Sequence, residues 1–255
     1  MTYRTILVEK CDGYAIVTMH RPHEMNALSL EMRTELEASF IDLEDDKDVR
    51  VIVLTGGDYV FSAGMDLKEM STLPDADIND FFRSLTRYLK RIYNCKKPVI
   101  AAVGGIALGG GFNLVTFCDL IIASESAIFG HPELMFGLNP LFNPLRQIVG
   151  VSKAKEITML GQPIGANEAL RIGLVNKVAT PEQMMEEAKS IAQELAKRSP
   201  KAIEAIKRIS DIAPRLDKGS ALDLEQDVEA LLFSSEERKK HMNEFMKALK
   251  SRKNR

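Results

Sequence analysis

The 255-residue sequence lacks most of the features that mark disulfide-rich or nucleic-acid-binding proteins. It contains no tryptophan and only three cysteines, Cys11, Cys95 and Cys118, which lie far apart. An odd number of scattered cysteines argues against a disulfide framework, so we expect a reducing, cytoplasmic location. The formal net charge is only -2, and it gives no reason to expect nucleic acid or a membrane surface as a partner.

The common metal and nucleotide motifs are also absent. No segment matches the phosphate-binding patterns G-x-x-x-x-G-K-[ST] or G-x-G-x-x-G, and no serine lies in G-x-S-x-G. The four histidines have no ligand-like spacing with the cysteines, so we expect no metal site.

One long uncharged run raises the question of a membrane span. Pro98 to Cys118 is a stretch of 21 residues without a formal charge, about the length that crosses a bilayer. Five glycines fall inside it, and a spanning helix would have to accommodate all of them. We interpret the run as a buried strand over Val99–Val103, a glycine turn, and a helix that opens at 109–111 and continues through Phe117.

The first half of the chain alternates apolar strand patterns with amphipathic helix patterns, which predicts an α/β architecture. We expect strands at Ala15–Met19, Arg50–Thr55, Val99–Val103 and Leu120–Ala123, and helices at Leu30–Leu43 and Asp75–Asn94. The segment Leu67–Asp80 carries Pro74 and several polar residues, and we interpret it as a mobile loop or short helix that covers a site.

The pattern becomes wholly helical after about residue 152. Apolar residues recur at helical spacing in 152–160, 166–172, 181–197, 200–212 and 220–233, and a basic helix follows from Glu236 to about Arg252. The C-terminal part is therefore predicted to be a helical extension of the α/β core.

Two glycine-bearing turns are candidates for binding a developing negative charge. The segments are FSAGMDL at 61–67 and ALGGGFN at 107–113. Bare backbone N–H groups at such turns can hold an oxygen that gains charge, and two turns together can form an oxyanion hole. A purely structural interpretation stays open for each, because Gly64 can serve a tight turn, Asp66 can cap a helix and the glycine triplet can allow close packing.

A third segment, FGHPELMFGL at 129–138, places Glu133 among large apolar residues. A carboxylate in such surroundings is suited to proton transfer near neutral pH. The alternative, a partly exposed loop glutamate without a chemical role, stays open on this segment alone.

Taken together, the segments resemble the crotonase superfamily, the enoyl-CoA hydratase and isomerase family. The similarity covers essentially the whole chain and rests on RPHEMNAL at 21–28, VIVLTGG at 51–57, FSAGMDLKEM at 61–70, KKPVIAAVGGIALGGG at 96–111, CDLIIASESAIFGHPEL at 118–134 and LGQPIGANEALRIGLVNKV at 160–178. The resemblance implies a crotonase-like spiral of ββα units over 1–195, which holds the acyl-CoA site. It further implies a C-terminal helical oligomerisation region over 196–255, with assembly into a homotrimer or a homohexamer of two trimers.

The resemblance also implies an acyl-CoA enzyme of fatty acid metabolism that stabilises a thioester enolate. Coenzyme A is then part of the substrate, and no separate cofactor is expected. The backbone N–H groups of Met65 and Gly110 would form the oxyanion hole. The residues that would contact the CoA thioester are Ala27, Leu28, Ala63, Asp66, Leu67, Lys68 and Gly109.

Hydratases of this family use two glutamates, and only one of them is matched here. Glu133 fits the second, whereas Asn113 stands at the first position, and an amide can hydrogen-bond a water molecule but cannot exchange a proton with it at neutral pH. The resemblance therefore favours isomerisation of 3-enoyl-CoA to trans-2-enoyl-CoA, with Glu133 as base and acid and Asn113 as a polar aid. Hydration with Asn113 in place of one glutamate is the alternative, followed by thioester hydrolysis and by an acyl-CoA-binding protein without catalysis.

A further departure from the hydratase pattern follows at 141–148, which reads LFNPLRQI where hydratases are glycine-rich. The bulky Leu141 and Phe142 would reshape the acyl pocket, and Asn143 or Arg146 could add a polar contact to the substrate. A salt bridge on the helix is an equally open interpretation of Arg146.

Overall fold

The computed structural model describes residues 3–253, with side chains described to residue 247. These residues form two compact units, one ending at Ala196 and the other beginning at Lys197. The two expected domain ranges, 1–195 and 196–255, extend at the chain ends beyond the described residues.

Strands and helices alternate through the first unit, as the α/β prediction requires. The described strands are β1 Ile6–Lys10, β2 Gly13–Met19, β3 Val49–Thr55, β4 Val60–Ser62, β5 Val99–Val103, β6 Ile106–Leu108, β7 Leu120–Ser124, β8 Ile128–Gly130, β9 Ile164–Gly165 and β10 Lys177–Ala179. One sheet has the order β1-β2-β3-β5-β7-β10 and the other β4-β6-β8-β9. Both are parallel except for the antiparallel pairs β1 with β2 and β8 with β9.

The helices of the first unit connect and cover these strands. They are α1 Leu30–Asp45, α2 Leu67–Ser71, α3 Ile78–Tyr93, α4 Gly110–Thr116, α5 Phe142–Leu160, α6 Ala166–Arg171 and α7 Pro181–Ala196. Short 3-10 helices occur at Pro22–Glu24, Asp75–Asp77 and Pro132–Phe136.

The large sheet is buried on both faces, which explains the nearly continuous apolar sequence of its strands. On β3, Val51 and Val53 belong to a core cluster with Met184 of α7. Ile52 and Leu54, which alternate with them, belong to the main cluster on the other face. The six-stranded sheet is therefore held between α7 and the rest of the core.

Three successive segments repeat one structural pattern. A strand of the large sheet is followed by a short strand of the small sheet and then by helix, in the orders β3-β4-α2-α3, β5-β6-α4 and β7-β8-α5. Because consecutive strands change sheets, the ends of β4, β6 and β8 are brought together at the small sheet. The glycine turns and Glu133 follow these strand ends.

The uncharged run Pro98–Cys118 lies in β5, β6 and α4, most of whose residues are buried in the protein interior. Among the described residues, no helix is long and apolar enough to cross a membrane.

Two sequence predictions differ from the structure. The chain is not wholly helical after residue 152, because β9 pairs with β8 and β10 pairs with β7. Strands of two and three residues are too short to show a strand pattern in the sequence. Helix α5 also begins earlier than predicted, at Phe142 rather than at 152. Gly150, with a non-helical φ of 79°, kinks this helix, and the predicted stretch 152–160 is the part after the kink. In the segment 67–80, α2 and the 3-10 helix at Asp75–Asp77 select the short-helix interpretation over the loop.

The second unit is helical in its described part. Its helices are α8 Pro200–Ile212, α9 Lys218–Phe233 and α10 Glu236–Lys253, with a 3-10 helix at Ala213–Arg215. Large apolar side chains are exposed on these helices, among them Ile206, Leu222, Leu231, Phe233 and Phe245.

Candidate active site

The first glycine turn follows β4 and is bound to the segment before α1. The Leu28 N–H donates to the Gly64 carbonyl at 2.8 Å, and Leu28 and Met65 form an isolated parallel bridge. Gly64 has φ 104°, a backbone conformation that residues other than glycine rarely adopt. A Cβ placed there would lie 2.9 Å from the Leu108 carbonyl oxygen and 3.1 Å from the Gly110 nitrogen. The two glycine turns therefore touch each other.

The second turn lies between β6 and α4. The Gly109 N–H donates to the Gly130 carbonyl at 2.9 Å, which fixes the turn against β8. Gly110 is the first residue of α4, so its N–H is one of those that a helix leaves without an intrahelical partner. A Cβ on Gly110 would contact Leu28 and the Met65 sulfur, each at 3.3 Å. The structure thus brings together Met65 and Gly110, the two residues predicted to form the oxyanion hole, and that role stays a prediction.

Glu133 lies next to the second turn. It follows Pro132 in the first turn of a 3-10 helix, and its Oε1 would be 3.5 Å from a Cβ placed on Gly109. The side chain is 17% exposed, and Oε2 is buried without a hydrogen-bond partner among the described residues. A buried carboxylate oxygen without a protein partner can accept a hydrogen bond from water or substrate. The structure therefore places Glu133 beside the predicted oxyanion turn.

Asn113 lies one helical turn into α4. Its backbone N–H donates to the Gly109 carbonyl at 2.9 Å, and its side chain is buried. The Asn113 Oδ1 has no hydrogen-bond partner within the described part of the chain. The amide therefore keeps one acceptor for a water molecule or a substrate group.

Six of the seven residues predicted to contact CoA fall in two adjacent segments, and the seventh, Gly109, lies in the second glycine turn. Ala27 and Leu28 lie beside the turn that begins at Ala63, whose N–H donates to the Met25 carbonyl at 3.0 Å. Leu67 and Lys68 open helix α2 and are exposed. The Leu28 N–H also binds the Gly64 carbonyl, so the two segments lie side by side and together are named the site border. Their contacts with CoA stay predictions.

Asp66 has structural partners that account for its burial. Its carboxylate accepts the Lys68 and Glu69 N–H groups and so caps α2, and it pairs with Arg21 at 2.9 Å. Burial acts to raise the pKa of Asp66, but the hydrogen bonds from Arg21 and from the two N–H groups outweigh it and lower the pKa below its ordinary value. The capping interpretation of Asp66 is correct, and a contact of Asp66 with CoA stays a prediction.

Sequence reasoning missed Arg21, although it opens the RPHEMNAL segment. Its guanidinium also donates to the Ala27 carbonyl at 2.7 Å, so Arg21 joins the two border segments of the site. The available signal was a cation at the start of RPHEMNAL and an anion, Asp66, in FSAGMDL.

Arg33 and Glu69 form a second connection near the site. Glu69 accepts the Leu30 N–H at 2.8 Å and lies 3.5 Å from Arg33, which also donates to the Leu28 carbonyl. Burial lowers the pKa of the Arg33 guanidinium, and Glu69 counteracts that effect. Helix α2 is thereby attached to the beginning of α1.

Several side chains of the segment 141–148 contact other residues of the protein. The Arg146 Nε donates to Asn143 Oδ1 at 2.8 Å, so these two polar side chains bind each other. Phe142 packs against the main core, whereas Leu141 is exposed. The effect of Leu141 and Phe142 on the acyl pocket stays a prediction.

Among the described residues, no three His, Cys, Asp or Glu side chains are grouped so that they could hold a metal ion.

Comparison with known proteins identifies the family. The sequence model described as enoyl-CoA hydratase/isomerase matches residues 9–253. The chain is 36% identical to the short-chain-enoyl-CoA hydratase of Clostridium acetobutylicum, over 98% of this chain and 97% of the relative. It is 35% identical to the crotonyl-CoA hydratase of Syntrophomonas wolfei, over 98% of each chain. The crystal structure of enoyl-CoA hydratase from Bacillus anthracis matches with a TM-score of 0.92 at 29% identity, over 96% of this chain and 97% of that one.

These similarities, together with the two sheets and the glycine turns, define an α/β enzyme of the crotonase fold. The chain belongs to the enoyl-CoA hydratase/isomerase family.

Proposed function

We propose that this protein hydrates short-chain trans-2-enoyl-CoA thioesters. The observation that carries the proposal is the position of the Glu133 carboxylate beside Gly109, where a substrate held by the two glycine turns would meet a proton-transferring group. The names of the relatives from Clostridium acetobutylicum and Syntrophomonas wolfei support hydration and a short acyl chain. They favour hydration over the isomerisation that Asn113 led us to expect.

The N–H groups of Met65 and Gly110 hold the thioester oxygen in the proposed reaction. As electron density moves from the C2=C3 double bond onto this oxygen, C3 becomes open to attack by water. Each such donor is typically worth about 3–4 kcal/mol of transition-state stabilisation. The result is an enolate whose negative charge lies on the thioester oxygen.

Glu133 transfers the proton in both halves of the reaction. It accepts a proton from water while the water oxygen bonds to C3, and the protonated Glu133 then delivers a proton to C2 as the enolate collapses. The net change is addition of one water molecule across the double bond. Asn113 accepts a hydrogen bond from the attacking water through its unpartnered Oδ1 and takes no proton.

Isomerisation of 3-enoyl-CoA is the second candidate, and Asn113 is the observation that favours it. A single carboxylate is sufficient to remove a proton from C2 and return it to C4, so the reaction needs no second acid or base. Glu133 carries the proton in this reaction as well.

Two substrates distinguish these reactions. Hydration removes the ultraviolet absorbance of conjugated crotonyl-CoA, whereas isomerisation of 3-hexenoyl-CoA creates that absorbance. We expect rapid loss of the crotonyl-CoA signal. Turnover of 3-hexenoyl-CoA with no change in crotonyl-CoA would contradict hydration and support the second candidate.

We also propose that the chain assembles into homotrimers or into hexamers of two trimers. The exposed apolar side chains of α8, α9 and α10 support this proposal, because surfaces of this kind are typical of protein interfaces.

A further inference from the structure

His131 is a buried titratable residue that the proposed reaction does not use. It lies immediately after β8, is 1% exposed, and its ring packs on Phe112 with centroids 4.7 Å apart. Imidazole is rarely buried so completely without a polar partner.

That partner is Glu133. The His131 Nδ1 lies 3.4 Å from Oε1, within hydrogen-bond geometry. It is 3.3 Å from Oε2 but outside hydrogen-bond geometry, so Oε2 stays available as an acceptor. An ionised carboxylate can only accept hydrogen bonds, so Nδ1 carries the hydrogen when Glu133 is charged. The Nε2 atom is buried and has no hydrogen-bond partner in the part of the chain that is described. The ring thus presents one donor to the carboxylate and is otherwise held by packing.

The backbone fixes the ring relative to the glycine turn. Strands β6 and β8 pair in parallel, with Leu108 opposite Gly130, and the Gly109 N–H binds the Gly130 carbonyl at 2.9 Å. Pro132 follows with its restricted φ and begins the 3-10 helix that carries Glu133. His131 is therefore attached to the turn on one side and to the carboxylate on the other.

We propose that His131 is the positioning residue for Glu133. Its Nδ1–H holds the carboxylate beside Gly109 and limits its rotation, so that Glu133 meets the water and C2 in one geometry. The inference rests on the proposed function insofar as Glu133 is the group that transfers the proton. His131 itself does not touch the reacting atoms in this proposal.

Two substitutions separate the hydrogen bond from the packing. His131→Phe keeps an aromatic ring over Phe112 but removes the donor. His131→Asn removes the ring but can place an amide N–H at the position of Nδ1, two bonds from Cβ. If the hydrogen bond positions Glu133, we expect kcat to fall about tenfold or more in the phenylalanine variant, because hydrogen bonds to charged groups are the stronger ones. The asparagine variant should recover most of kcat, and KM should change little in both.

The measurements are kcat and KM for crotonyl-CoA and the melting temperature of each full-length variant. His131→Leu provides a second variant without a donor in case phenylalanine does not fold. A folded phenylalanine variant with wild-type kcat would overturn the proposal. It would also be overturned if asparagine lowered kcat as much as phenylalanine, since the ring would then matter through packing alone.

The activity of the wild-type protein distinguishes a failure of this proposal from a failure of the proposed function. If it does not hydrate crotonyl-CoA, hydration is wrong, and the same ratios of kcat are measured with 3-hexenoyl-CoA, where Glu133 again carries the proton. A loss in His131→Phe with recovery in His131→Asn supports the positioning role in either reaction.

Discussion

In the proposed reaction, Glu133 exchanges protons with water and substrate, whereas Asn113 only forms a hydrogen bond. Each has a buried oxygen without a partner among the residues described, so each can still bind water or substrate. The sequence indicated these two residues, because one lies in an apolar segment and the other follows a glycine triplet. It gave no distance between Glu133 and Gly109, which depends on the pairing of β6 with β8.

His131 and Arg21 show what residue patterns left out. Both side chains are polar groups whose partners are fixed by folded geometry: Glu133 for the histidine and Asp66 for the arginine. A lone histidine or arginine in a sequence has many possible partners. The folded structure, and not the residue pattern, therefore determines the partners of these two side chains.

Asp66→Asn tests how much the ion pair between Asp66 and Arg21 stabilises the folded protein. Asparagine still caps a helix but cannot form the ion pair with Arg21, so we expect a loss of about 1–3 kcal/mol in the free energy of unfolding at neutral pH. Because the folded-state pKa of Asp66 is lowered, this contribution is complete above the ordinary value of 3.8 and disappears as the pH falls through the lower folded pKa.

Urea unfolding of both proteins between pH 7 and pH 3 measures this difference, with Asp58→Asn as the control at an exposed aspartate. A difference between wild type and Asp66→Asn that stays constant as the pH falls would contradict the electrostatic account.

At the scale of elements, long buried strands and amphipathic helices were predictable, while short pieces were not. The Val/Ile-rich β3 and β5 have strong patterns, but β4, β6 and β8 contain only three residues each. Three residues cannot establish a periodicity, so residue patterns did not show the repeated strand, strand, helix unit, which only the resemblance to the family implied. The small sheet, which assembles the site, was the part that needed the structure.

Helix α4 illustrates why the glycine triplet is a packing feature as well as a binding feature. A Cβ on Gly111 would lie 2.3 Å from the Ser62 carbonyl oxygen, and backbone atoms there cannot easily move. We predict that Gly111→Ala lowers the free energy of unfolding by about 1–3 kcal/mol or prevents folding. The close-packing interpretation of the triplet therefore holds at this position, beside the proposed role of Gly110.

Gly165→Ala is the matched control, because a Cβ there meets no atom within 4 Å and its φ is negative. Chemical unfolding of both variants provides the comparison. Equal stability of Gly111→Ala and Gly165→Ala would contradict the packing account.

At the scale of the whole molecule, every candidate site residue lies in the first unit, and the second unit exposes apolar helix surfaces. The resemblance to the family indicated both parts, and no sequence pattern by itself indicated how copies assemble. The cytoplasmic location, the absence of a separate cofactor and the domain limits stay predictions.

Light scattering coupled to size-exclusion chromatography tests the assembly. We expect a mass of three or six chains of 28.4 kDa. Leu231→Asp, at a strongly exposed apolar position of α9, should shift the mass toward the monomer, and Glu225→Asn should leave it unchanged. A wild-type monomer at micromolar concentration would contradict the proposed assembly.

The central claim is that Glu133 transfers the proton in hydration of an enoyl-CoA. The most direct test is the rate of crotonyl-CoA hydration by Glu133→Gln, with the exposed Glu125→Gln as the matched control. We predict that Glu133→Gln folds like the wild type and lowers kcat by about 10²–10⁴-fold, as loss of a general acid–base group does, while the control keeps its activity. Hydration by Glu133→Gln at the wild-type rate would contradict the account.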